Sequence, residues 1–176
     1  GMHSLGANTT ASNNTAVGAS AMVANTTGTQ NVALGTYGLQ ANTTGVNNLA
    51  AGYAAGYSNT TGTGNVALGH STLYNNTTAN ANTAVGASAM VANTTGASNT
   101  ASGYNALYAN TTGNNLTAVG MQALYSNTTG LNNTAFGNNA LLSNTTANGN
   151  TSIGYYSMNS NSTGASNTAL GDQAMR

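Results

Sequence analysis

Asn93-Thr94-Thr95-Gly96-Ala97-Ser98-Asn99-Thr100-Ala101-Ser102-Gly103-Tyr104-Asn105-Ala106-Leu107-Tyr108-Ala109 spans seventeen residues, and versions of it run along the whole chain. Its opening triplet recurs at Asn8, Asn25, Asn42, Asn59, Asn76, Asn93, Asn110, Asn127, Asn144 and Asn161, where the last copy reads Asn-Ser-Thr. The spacing never slips by a residue. A repeat this strict means one structural unit stacked on itself. Function then belongs to surfaces made by stacking, and a unique catalytic cleft is not expected.

Numbered from the first Asn, the consensus is Asn-Thr-Thr-Gly-x-x-Asn-Thr-Ala-Val-Gly-x-x-Ala-Leu-Tyr-Ala. Position seven is Asn except at Leu116, and position nine is Ala except at Ser152. Position eleven is always Gly: Gly18, Gly35, Gly52, Gly69, Gly86, Gly103, Gly120, Gly137, Gly154 and Gly171. Position ten is mostly aliphatic or aromatic, and position fifteen is Leu or Met except at Gly56. The opening residues keep the same phase, with Gly1 on position eleven and Leu5 on position fifteen.

Asn-Thr-Thr-Gly is poor helix material, because Gly alone costs about 1 kcal/mol relative to Ala. Two short runs remain, Asn-Thr-Ala-Val and Ala-Leu-Tyr-Ala, each of strand length. Gly at positions four and eleven would permit positive φ at two turns. The reading is an all-β fold: a parallel β-solenoid or β-roll of 17-residue coils with two short strands each, filling residues 1–176 as a single domain. Equivalent residues would stack ~4.8 Å apart, giving ten coils a length of ~48 Å. Asn over Asn would form ladders with side-chain amides bonded along the axis.

Composition narrows the partners. The chain has 31 Asn and 30 Thr but one Arg (Arg176), one Asp (Asp172), no Lys and no Glu. Phosphate backbones and anionic membranes need cations that are missing here. No apolar run approaches the ~20 residues of a spanning helix. There is no Cys and no Pro. His3 and His70 lie four coils apart, roughly 19 Å at rung spacing, so they cannot share a metal. Asp172 is at least six coils from either histidine, which excludes a nucleophilic triad. Calcium-binding β-roll repeats need recurrent Asp, which does not recur. No catalytic residue, no metal ligand and no cofactor is expected, and enzyme activity is not. Asn-x-Ser/Thr sequons occur in every triplet and also at Asn13, Asn75, Asn115, Asn132 and Asn150. The preferred explanation of the triplets is stacking.

Strand residues alternate between faces, so positions nine and ten must point oppositely. The favoured parity sends position ten inward, beside the Leu/Met column at fifteen, and leaves the Ala column outside, kept small by a neighbouring backbone. The opposite parity leaves an apolar stripe exposed along the rod, which usually marks an interface. Either way one face should be covered. Position sixteen then faces outward, and its Tyr57, Tyr74, Tyr108 and Tyr125 are candidate interface residues.

The string Asn14 to Ala21, repeated at Asn82 to Ala89, resembles the head repeats of trimeric autotransporter adhesins, with their x-Val-Ala-Ile-Gly-x-x-Ser/Ala pattern. Asn-Val-Ala-Leu-Gly at Asn31 to Gly35 and Asn65 to Gly69 is similar to it too. Arrays in phage tail fibres and bacterial surface proteins are also similar. The resemblance implies a left-handed parallel β-roll, three chains per rod and a place outside the cell or on a virion. It carries over no catalytic residue, and no neck, stalk or anchor is visible.

The function expected is a structural and adhesive surface rod: an adhesin head, a fibre or a filament segment. Its partner would be itself, as a homotrimer or head-to-tail filament, with a host-surface or glycan receptor as a further partner. The chain starts at position eleven and stops at position sixteen, which reads as a piece of a longer array or a fibre subunit. One alternative is ice binding by Thr and Asn columns. A second is glycan binding through Tyr53, Tyr104 and Tyr155 at position twelve.

Overall fold

A computed structural model describes residues 1–176. The chain is an all-β parallel solenoid without helices. Its ten strands run from β1 (Thr15–Val17) and β2 (Val32–Leu34) through β5 (Thr83–Val85) and β8 (Thr134–Phe136) to β10 (Thr168–Leu170). They form one sheet in sequence order. Every pairing is parallel and seventeen residues apart: Ala16 faces Ala33, Ala84 faces Ala101, Ala135 faces Ser152. The in-register repeat therefore dictates the fold directly.

Each coil carries one strand, not the two expected. Positions eight to ten form it; the run Ala-Leu-Tyr-Ala is a turn. The backbone explains why. Positions thirteen and fifteen both take left-handed conformations, as in Asn105 (φ 55°) and Leu107 (φ 52°). That alternation folds the run into a tight corner and breaks the two-residue period of a strand. Ala106 and Leu107 consequently both point inward and are fully buried. A left-handed Leu costs roughly 1–2 kcal/mol, and burying it returns roughly 1.5–3 kcal/mol. Backbone bonds between coils hold the corner as well: Leu107 N–H donates to Ala123 O at 3.0 Å, and Ala109 N–H to Tyr125 O at 3.0 Å.

The favoured parity is reversed. The Ala column at position nine is inside, and position ten is outside, with Val17 59 %, Leu34 42 % and Val85 38 % exposed. The interior is narrow. Two Asn columns, the Ala at fourteen and the Leu or Met at fifteen already crowd it, and only Ala or, at Ser152, a side chain one hydroxyl larger fits opposite them. Gly56 interrupts the column at fifteen and leaves a cavity of about 10 Å³ beside Leu39 and Leu73.

The turns differ from the expectation as well. Gly at position eleven does take positive φ, from 121° to 143°. A Cβ there would strike the backbone of the next coil: at Gly103 it would lie 2.4 Å from Gly120 O. Position four does not take positive φ. Where it is Gly the space is tight, with a Cβ on Gly45 lying 2.5 Å from Gly62 O, yet buried Ala79 and Ala147 occupy the same position in other coils. Left-handed backbone falls instead at position six, as in Gln30 (φ 61°) and Ala81 (φ 57°), besides positions thirteen and fifteen.

Candidate functional site

The most regular chemistry in the molecule is internal. In the position-one column the Asn Nδ2 donates to the Oδ1 of the preceding coil's Asn. This holds from Asn25 onto Asn8 (3.2 Å) through Asn42 onto Asn25 (2.8 Å) and Asn93 onto Asn76 (2.9 Å) to Asn144 onto Asn127 (2.8 Å). Each Nδ2 also donates to the position-four carbonyl of its own coil, as Asn93 does to Gly96 O at 2.9 Å. Column seven adds a second staple. Asn82 accepts the backbone N–H of Asn99 at 2.9 Å and donates to Gly96 O at 2.8 Å. The carbonyl at position four thus receives two side-chain amides, one from each column. Buried polar groups must be paired in this way, and the columns are buried.

Two defects punctuate the network. Leu116 donates its backbone N–H to Asn99 Oδ1 at 2.9 Å, but its side chain can neither accept nor donate. Asn161 folds back on its own Gly164, giving and taking a bond, and does not reach Asn144. The Oδ1 of Asn144 is left without a partner. This happens where Ser162 replaces the usual Thr.

The two Thr columns of the triplet differ. At position two the hydroxyl donates to the next coil's position-two carbonyl, as Thr94 does to Thr111 O at 3.0 Å. At position three Thr10, Thr27, Thr95, Thr112 and their equivalents are exposed in all ten coils. Their hydroxyls bond to nothing in the protein.

Burial also sorts the sequons. The triplet Asn side chains within the rod are enclosed and bonded, so a glycan could not be attached there without opening the coil. Asn13, Asn75, Asn115 and Asn132 are exposed, whereas Asn150 is buried.

The outer face of the sheet presents positions eight and ten. From β5 to β10 position eight is Thr; in β2 (Val32–Leu34), β3 (Leu49–Ala51) and β4 (Val66–Leu68) it is Val32, Leu49 and Val66. Position ten offers Val17, Leu34, Val85, Phe136, Ile153 and Leu170 to solvent.

The tyrosines of position sixteen are half-buried and arranged in two pairs. Tyr57 and Tyr74 stack at 4.8 Å with ring planes 2° apart, and Tyr108 and Tyr125 at 5.1 Å and 10°. The rings lie across the rod axis, each covering its partner's face. Tyr37 meets Tyr53 and Tyr57 edge-on, and Tyr53 stacks on His70 at 5.2 Å. Tyr53, Tyr104 and Tyr155 at position twelve are about half exposed. His3 and His70 are not brought together, and no three His, Cys, Asp or Glu side chains cluster. No helix is long and apolar enough to cross a membrane.

The residues alone favour the other parity and leave the exposed sheet face as the alternative, although a signal for it is present. Position ten tolerates Ala51, Ser102 and Phe136, a size range that no packed interior accepts. Position nine tolerates only Ala and Ser. No family model matches the chain, and neither a curated protein nor a solved structure is significantly similar to it.

Proposed function

We propose that this chain is a non-enzymatic structural and adhesive surface rod, working outside the cell or on a virion as a segment of an adhesin head, fibre or filament. The observation that carries the reading is the unbroken register of ten rungs stapled by buried Asn. Such a stack fixes distance and stiffness along one axis and presents the same outer columns at every rung. The coil is modular, so reach changes by adding copies without redesigning the core. Contacts come from the outer columns, with other copies of the chain or with a host-surface or glycan receptor.

Immunogold labelling of intact cells or virions tests the location: surface labelling is expected, and labelling confined to the cytoplasm would overturn it. Beads coated with the chain test adhesion. Retention on a cell or glycan panel is expected, and no retention reduces the role to a spacer.

One observation favours a second reading, ice binding. The position-three Thr is invariant across ten coils although exposed and free of protein hydrogen bonds. A row of methyls and free hydroxyls on an uncharged rod can order water. Thermal hysteresis and shaped ice crystals are its signature; their absence from the purified protein removes it. Glycan stacking has less support, because of the position-twelve tyrosines Tyr53 already stacks on His70 and Tyr155 meets Tyr156 edge-on, which leaves no continuous platform.

A further inference from the structure

We propose that the outer face of the ten-stranded sheet pairs with the same face of a second copy of this chain. The proposal rests on the rod reading and deepens it by naming the partner and the face.

The face is the one surface where large apolar side chains stand in a row along the rod, at eight of the ten strands, with Ala51 and Ser102 as the two gaps. Val17, Leu34, Val85, Phe136, Ile153 and Leu170 are each substantially exposed there. In β2, β3 and β4 the neighbouring column is aliphatic too, through Val32, Leu49 and Val66, so both columns of that third are apolar. Contiguous apolar surface of this kind marks an interaction site.

Three features point to a like partner. The first is charge. The only Asp and the only Arg are Asp172 and Arg176, both in the last coil, so the face neither repels a copy nor attracts a charged molecule. The second is period. The ridges repeat at the rung spacing, which the Tyr57–Tyr74 pair records as 4.8 Å. A surface with that period interdigitates along its whole length only with another of equal period, and a second copy has one by construction. Facing sheets in steric zippers pack on this logic, and an isologous pair sets the same columns against themselves. The third is size. A strip about 43 Å long and about 10 Å wide covers roughly 400 Å² of each copy, which belongs with weak interfaces. Pairing is therefore concentration-dependent at ten coils and tightens as coils are added.

Sedimentation equilibrium between roughly 1 μM and roughly 1 mM tests the proposal. The expected mass is 17.2 kDa at the dilute end and rises toward twice that value. In the double variant Val85→Lys with Phe136→Lys, association should weaken at least tenfold while the circular-dichroism spectrum is unchanged. If the lysine variant loses its sheet signal, Val85→Thr with Phe136→Thr decides, with a several-fold weakening expected. A mass of 17.2 kDa at every concentration, or association equal in wild type and folded variants, overturns the pairing. Either result leaves the rod reading intact if surface labelling and an elongated particle in electron micrographs are still observed.

Discussion

The Asn corner and the outer sheet face belong to the same coils and obey opposite rules. The corner keeps Asn at position one in all ten copies. The face accepts Val, Leu, Ala, Ser, Phe and Ile at one position. Hydrogen bonds have direction and length, and a buried amide that loses its partner has no water to turn to. Apolar contact has neither constraint, and solvent-facing side chains need not match in volume. Between these two columns, therefore, constancy goes with buried polar geometry and not with hydrophobicity. The most variable apolar column is the outside one.

The contrast can be broken most violently at the glycine that closes the strand. Gly103→Ala would place a Cβ 2.4 Å from Gly120 O at a φ of 143°. Nothing flexible is there to yield. A loss above roughly 4 kcal/mol is expected, read as a collapse of the thermal melt or its division into two transitions on either side of the site.

Asn93→Leu comes next. It leaves Asn76 Oδ1 without its donor and removes the acceptor of Asn110 Nδ2. Gly96 O keeps its bond from Asn82. A destabilisation of about 2–4 kcal/mol is expected from the stranded groups, measured by urea denaturation. A loss under about 1 kcal/mol would show that the ladder is ornamental.

Two neighbouring residues sharpen the comparison to its smallest scale. Ala84 is fully buried and Val85 is exposed, one residue apart on the same strand. Ala84→Val overfills the interior and should cost about 1–3 kcal/mol. Val85→Thr should stay within about 0.5 kcal/mol. Parallel thermal melts of the two variants check both. Equal effects would mean that the two columns are not divided between interior and surface, and a reversed order would mean that they are exchanged.

Much of the corner is legible in the residues alone. The unbroken spacing implies a stack, because only repeated contact with an identical neighbour keeps a period without error. Asn at the turns, with amides able to bond up and down the axis, follows from the side-chain inventory. The strand at Thr100–Ser102 follows from its β-branched and small residues. The second strand does not exist, because Asn105 and Leu107 adopt left-handed conformations that Leu almost never chooses alone. Propensity cannot anticipate a conformation sustained by neighbours above and below. Nor can it find the pairing of Tyr57 with Tyr74, which depends on ring rotation.

The period, the register and the identity of every column follow from the residues alone, since a seventeen-residue step repeated without slippage leaves one way to stack. Which columns face inward is settled by packing in three dimensions. Strand alternation permits both parities, and the choice turns on the width of the interior: two Asn columns and a Leu or Met row leave room for Ala or Ser and for nothing larger, so Ala goes in and the aliphatic residues beside it are turned out to the surface.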